Sequence, residues 1–370
     1  MTHRSLKRPS LKRPSLKSQA GVAVVTALLL TTLILITISS LRMQQQVQMR
    51  LIENNRLRMQ ARWITLGAID LARFYLNDDA NNSTKDDLTE PWALPIAEMP
   101  VTTYAEKGQE EDSRATVSGR ITDATSRYNL ANLAYNRVIS KSELACLKKL
   151  LTNLRLNPEL ATKIAQAIAA GQSLTEGQPA VPAGTVPTPP PNPGQPPTPT
   201  PTPAPTPNPG GGTGANPLDG PPVPATPGQE PAPINELDDL LAVPGINPAI
   251  LGNLKNYVII LPRENNKLTT INVNTTSAEV LSARIDTLSL SQAKSVILAR
   301  DRATFREVPD FTRRVQELTG QSVTNPALVA TTSDYFIVFG RARNEHAIME
   351  TNALIKRADR KSSVLWMREN

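Results

Sequence analysis

Three rhythms of apolar and polar residues follow one another along this chain. The first is an unbroken apolar run: from Gln19 to Leu41 the chain has no charge and is rich in Val, Leu, Ile and Thr. As a helix, that length spans a bilayer core of about 30 Å, which takes about 20 residues. The apolar core of a secretory signal is shorter, about 7–15 residues, and a small-residue cleavage site follows it; none follows here. Helix formers continue instead, with no Pro or Gly until Gly67. The pattern predicts one helix from Val22 to about Leu76, on the order of 80 Å long at 1.5 Å per residue. In its second half Met59, Trp63, Leu66 and Ile69 are spaced four, three and three apart, a stripe expected to pack against a globular domain.

The second rhythm has period two. In "RATVSGRITDATSRYNL" polar and apolar residues alternate around Val117 and Ile121, as in a half-buried strand. The closing "DYFIVFGRARNEHAIMETNALIKRADRKSSVLWMREN" holds three more candidate strands, broken near Arg343–Glu345 and Ala358–Lys361. Between these ends the period is helical. "VISKSELACLKKLLTNLRLNPELATKIAQAIAAG" breaks at Asn157-Pro158, and a second helical subdomain runs from Ile234 to about Asn325. Strands at both ends of the globular region, packed on the long helix, make an α+β fold with a small antiparallel sheet and a large inserted helical domain.

Between the two helical parts, Pro179 to Pro233 holds 22 of the 33 prolines. Proline removes a backbone donor and fixes φ, so this tract is expected to be an extended spacer without a core. The expected organisation is a basic leader over 1–21, the long helix over 22–78 with its first half in lipid, and the first part of the α+β domain over 79–133. The inserted domain follows over 134–178 and 234–330, interrupted by the spacer over 179–233, and strands over 331–370 complete the sheet.

Charge changes this picture little. The net charge is +7, but the first twenty residues carry six Lys or Arg and no acid, so the remaining surplus is small and does not point to nucleic acid. Arg42, Arg50, Arg56, Arg58 and Arg62 follow the apolar run, so charge alone leaves the orientation open. The large soluble remainder favours a cytoplasmic N-terminus and a head on the far side. Cys146 is the single cysteine and His3 and His346 the two histidines. No intrachain disulfide is possible, and Cys146 reads as a small buried apolar residue on a helix. Hydrolase, phosphate-loop and zinc patterns are absent.

The basic leader ending in Gly21, followed at once by "VAVVTALLL" and a long amphipathic continuation, resembles type IV prepilins and type II secretion pseudopilins. The resemblance implies cleavage by a prepilin peptidase after Gly21 and methylation of the new N-terminus at Val22. Most such proteins have Glu at the fifth mature position, where this chain has Thr26. In the family that Glu neutralises the N-terminal amine of the subunit above, since an unpaired charge in lipid costs at least a few kcal/mol. A subunit with no neighbour above needs none. With Thr26, the stretches "LTEPWALPI" (Leu88–Ile96), "GRITDATSRYNLANL" (Gly119–Leu133), "TTINVNTTSAEVLSA" (Thr269–Ala283), "TSDYFIVFGRARN" and "VLWMREN" are similar in order to the K-type minor pseudopilins of the general secretion pathway. That implies a non-enzymatic, single-pass inner-membrane protein of a Gram-negative bacterium with a periplasmic head. It implies a place at the tip of the pseudopilus, and I-, J- and H-type minor pseudopilins, the major pseudopilin and prepilin peptidase as partners.

One rival reading remains. "LLAVPGINPAIL" and "INVNTTSAEVL…SQAKSVILARDRATFREVPDF" look like the helix-hairpin-helix units of membrane-tethered DNA-uptake receptors, whose glycine N–H groups meet a phosphate. Here Asn247 stands where a second glycine is expected, the turn in "RIDTLSLSQA" has none, and Glu236, Asp238 and Asp239 would repel phosphate. Nucleic acid is therefore not expected as a partner. The resemblance also raises calcium, which takes 6–8 oxygen ligands. The family's D-W-I-D-x-D and A-E-D-x-x-Y ligands are missing at "IAQAIAAGQSLTEGQ". Glu236, Asp238 and Asp239 are the remaining metal candidates, and Asp78, Asp79, Asp86 and Asp87 read as solvated acids. No cofactor is expected.

Overall fold

A computed structural model describes residues 19–101, 103–104, 110–111, 115–172, 233–263, 267–344 and 347–369. The leader through residue 18 and the Pro-rich tract over 179–232 lie outside the described residues. Two compact units divide the chain: Met1–Thr65 with Pro100–Thr116 and Ala342–Met349, and Leu66–Met99 with Val117–Arg341 and Glu350–Asn370.

Helix α1 (Gln19–Asn82) is continuous for 64 residues, roughly 95 Å; Gly67 does not interrupt it, and the element is longer than the pattern predicts. Residues 21–56 are exposed all round. Among the described residues this is the one helix long and apolar enough to cross a membrane. The expected packing stripe is corrected in part: Met59 and Trp63 are exposed, at 54% and 68%. The buried line is instead Ala61, Thr65, Ile69, Ala72 and Leu76. Apolar spacing alone picks the large residues, whereas the small ones mark where a helix meets its neighbour closely.

In the larger unit Ile69, Ala72 and Leu76 pack with Trp92, Ile121, Phe336, Val338, Ala353 and Ile355. Ile121, Phe336, Val338, Ala353 and Ile355 come from a five-stranded sheet in the order Ile96–Pro100, Thr116–Asp123, Tyr335–Asn344, Ala347–Ala358, Lys361–Glu369, and Trp92 from the 3-10 turn Pro91–Ala93. The last two strands are an antiparallel hairpin, with Ala358 opposite Lys361. Asp359 and Arg360 turn it with φ of 49° and 63°, the left-handed pair a tight hairpin requires. Gly119 lies so close to the neighbouring strand that a Cβ there would sit 2.7 Å from the Phe339 carbonyl oxygen.

The inserted helices are α2 (Lys141–Asn153), α3 (Leu160–Ala170), α4 (Pro248–Leu254), α5 (Ala278–Arg284), α6 (Leu290–Arg302) and α7 (Val308–Thr319). Caps set the starts of α2, α4, α5 and α6: the side chains of Ser140, Asn247, Ser277 and Ser289 accept from backbone N–H groups three residues on. One core gathers residues from both sides of the Pro-rich tract, including Leu147, Leu150, Leu151 and Ile164 with Leu240, Leu254 and Val280. A second holds Leu281, Val296, Phe305, Phe311 and Val315. The two helical parts therefore share a core and are not separate subdomains. The long helix, the small sheet and the inserted helices of the expected α+β class are all present.

Candidate functional site

At the foot of α1, Gly21, Val22 and Thr26 lie on exposed helix. The Thr26 hydroxyl donates to the carbonyls of Val22 and Ala23, each at 3.0 Å. Thr31, Thr32 and Thr37 do the same with Leu28, Leu29 and Leu33. Each of these four threonine hydroxyls is thus satisfied within its own helix, which lets it face lipid without an orphan donor. A Glu at position 26 would instead require an external partner.

In the head, the polar residues of the quoted stretches form a buried network that alternation of apolar positions does not reveal. Asp123 accepts from the Thr125 N–H and hydroxyl, each at 2.7 Å, from Ser333 at 2.6 Å, and from the Thr275 hydroxyl. Asn272 donates to Ser333 and to the Asp86 carbonyl. Asn274 exchanges two bonds with the Phe305 backbone, and Asn132 two with that of Thr269. Asp123, Thr125, Asn132, Asn272, Asn274 and Ser333 are all buried. Together these bonds tie the sheet to the inserted helices. A readable signal existed in the density of Asn, Thr and Ser, since buried groups of this kind must find partners.

Asp86 and Asp87, read above as solvated, are both 1% exposed; this is a correction. The Arg357 guanidinium donates to Asp79 at 2.9 Å and to both Asp86 oxygens at 2.5 Å, while Asp86 also accepts the Ser333 N–H at 2.6 Å. Two carboxylates thus face one cation. Burial raises the pKa of Asp86, the more enclosed of the two, to about 7 despite Arg357. Asp87 pairs with Lys85 and accepts from Thr89, and these bonds bring its pKa below the usual value against the effect of burial. Glu90 holds the Trp92 indole N–H at 2.8 Å and the Asp87 N–H at 3.0 Å, which gives the "LTEPW" stretch a structural purpose.

Asp79, Asp86 and Glu90 bring carboxylate oxygens within 4.8 Å of one another, but Arg357 already pairs with Asp79 and Asp86, and Glu90 accepts from Ser83, Trp92 and the Asp87 N–H. Glu236, Asp238 and Asp239, the metal candidates from the sequence, are engaged otherwise. Glu236 pairs with Arg368 and Asp238 with Lys255, each at 2.7 Å. Asp239 accepts the N–H groups of Asn235 and Glu236 in a capping box. Neither acid set fits the open oxygen cage that calcium requires.

At both hairpin turns, side chains of the inserted domain itself lie against the backbone. Gly245 has φ of +100°, and its α-carbon faces Leu160, where a Cβ would meet Cδ2 at 3.0 Å. Asn247 caps α4 through a 2.9 Å bond from the Ile250 N–H. At the second turn the carbonyls of Ile285, Asp286 and Leu288 converge on Lys149 Nζ at 2.8–3.0 Å.

A membrane-length helix followed by a small sheet and inserted helices is the α+β arrangement expected of the pseudopilin fold. Residues 271–331 match the family model of the type II secretion system, protein K. The fold is similar to a chain of the crystal structure of the GspK-GspI-GspJ complex from the enterotoxigenic Escherichia coli type 2 secretion system, with a TM-score of 0.54 and 17% identity. That match covers 86% of this chain and 98% of the other. No curated protein matches the sequence. The family match and the shared fold bear out the resemblance to K-type minor pseudopilins.

Proposed function

We propose that the protein is the K-type minor pseudopilin at the tip of a Gram-negative type II secretion pseudopilus, nucleating or capping its assembly for export of folded proteins across the outer membrane. The observation that carries this reading is the match of residues 271–331 to the protein K family in a chain whose unbroken apolar helix follows Gly21. In this reading prepilin peptidase cuts between Gly21 and Val22, the Val22 amine is methylated, and the helix stays in the inner membrane. The leader is cytoplasmic and the head periplasmic.

Thr26 supports the tip position, because its hydroxyl is satisfied within the helix and offers no charge to a subunit above. The protein of similar fold is found with GspI and GspJ, which supports I- and J-type minor pseudopilins as partners here; H-type and major pseudopilins follow by the same reasoning. The role is structural and the protein a substrate of an enzyme. Calcium is not part of it: tight binding of calcium by the full chain in calorimetry would overturn that. DNA uptake is disfavoured, since Asn247 and Lys149 occupy the turns that a phosphate would need.

The test is cleavage. Expressed with a prepilin peptidase, the protein should begin at a methylated Val22, and without one at Met1. An N-terminus at Met1 in both cases would remove the basis of the proposal.

A further inference from the structure

One face of the sheet packs on α1 through Ile121, Phe336, Val338, Ala353 and Ile355. The other face is covered only in part: Ile259 and Leu261 of the inserted domain reach Tyr335, Ile337 and Leu354, with Phe339 and Trp366 at the margin. Beyond that margin lies an open groove of about 360 Å³, floored by Ile337, Phe339, Leu354 and Trp366. That volume lies in the range of sites that take one or two large side chains.

Four cations and two carboxylates line this groove. Lys255 is paired with Asp238 and Arg368 with Glu236. The other two cations, Arg120 and Arg127, have no hydrogen-bond or ion-pair partner for their guanidinium groups among the described residues; Arg120 lies 4.6 Å over the Phe339 ring. Arg127 is half-buried. Burial pulls its pKa down, Asp123 opposes that, and the nearby charge of Arg120 adds to it. A half-buried guanidinium beside a second one, neither of them hydrogen-bonded to a carboxylate among the described residues, is an arrangement that an incoming anion relieves.

We infer that this groove docks an acidic segment of a partner protein, seating an apolar side chain on Phe339 and Trp366 and a carboxylate on Arg120 and Arg127. Charge complementarity chooses the occupant. A neutral apolar segment would fill the floor but leave both arginines without a counter-charge, and a small anion would leave the floor bare. Arg suits the role because its planar fork meets a carboxylate with two parallel bonds. The inference does not rest on the secretion reading, since the groove's chemistry is independent of what α1 does.

The test uses the full chain in detergent and fluorescence anisotropy of a labelled ten-residue peptide alternating glutamate and leucine with one phenylalanine. Matched probes are the same peptide with glutamine for glutamate, and sodium acetate as a competitor at equal carboxylate concentration. The acidic peptide should bind, and the glutamine peptide, the Arg120→Gln variant and the Arg127→Gln variant should each weaken binding by about tenfold or more, the worth of one charged hydrogen bond. Phe339→Ala should weaken it as well. Arg120 is exposed, so its variant reads the contact even if loss of Arg127 disturbs the fold. Equal binding of the two peptides, or displacement by acetate alone, overturns the inference. So does binding that appears only after residues 179–232 are deleted, because the chain's own tract would then be the occupant.

Discussion

Arg284 of α5 and Glu143 of α2 form an ion pair at 2.7 Å with side chains 2% and 1% exposed. They stand 141 residues apart in sequence, on opposite sides of the Pro-rich tract, so the pair joins the two parts of the inserted domain. Replacing Arg284 with Met keeps an unbranched side chain but leaves Glu143 buried with the Tyr128 hydroxyl at 3.0 Å and the Arg263 charge nearby. A buried charge that loses its ion-pair partner costs about 3–5 kcal/mol. The pair itself is not a strong net stabiliser, since desolvation offsets much of its attraction and Arg284 Nε is buried without an acceptor. The double variant Glu143→Leu with Arg284→Met should therefore recover most of that loss. Urea unfolding of the full chain in detergent, followed by far-ultraviolet circular dichroism, reads both. A single-variant cost below about 1 kcal/mol, or a double variant no better than the single, would refute the reasoning.

Three further outcomes follow from the geometry. Asp86 has a folded pKa of about 7, above its unfolded value of about 3.9. Its contribution is fully present below the unfolded value and is lost as pH rises through 7. Urea unfolding should show that decline between about pH 3 and about pH 8, steepest between the two pKa values, and Asp86→Asn should remove it. Thr26→Val deletes hydroxyl bonds confined to one helix, so export of a secreted protein in the native host should stay unchanged; loss of export would show that the hydroxyl meets another subunit. Gly119→Ala drives a Cβ to 2.7 Å from the Phe339 oxygen. It should cost about 1–3 kcal/mol in the same unfolding assay, and a neutral result would mean the strands part freely.

Much of the fold was legible because it is written in local patterns. The closing strands break at Asn344 and Ala358, where polar clusters interrupt the alternation. The long helix shows in an apolar run followed by helix formers. What was not legible depends on partners remote in sequence. Asp86 looks like a loop acid until Arg357, 271 residues later, is brought to it. Asp123 likewise gains Thr275 and Ser333 only by folding. Met59 and Trp63 misled for a different reason: apolar size predicts a buried stripe, yet the buried positions on that turn are Ala61 and Thr65. Gly21, Val22 and Thr26 were read from the leader pattern alone, and the structure adds the hydrogen bonds that explain how Thr26 is tolerated in an apolar helix.

The central proposal is that this chain assembles with I- and J-type minor pseudopilins. The most direct measurement is the mass of the assembly formed when the detergent-solubilised chain, cleaved after Gly21, is mixed with the I- and J-type proteins of the same secretion system. The account predicts one complex containing a single copy of each, stable on a sizing column with light scattering. Three separately eluting proteins, with the same result for the uncleaved chain, would contradict it.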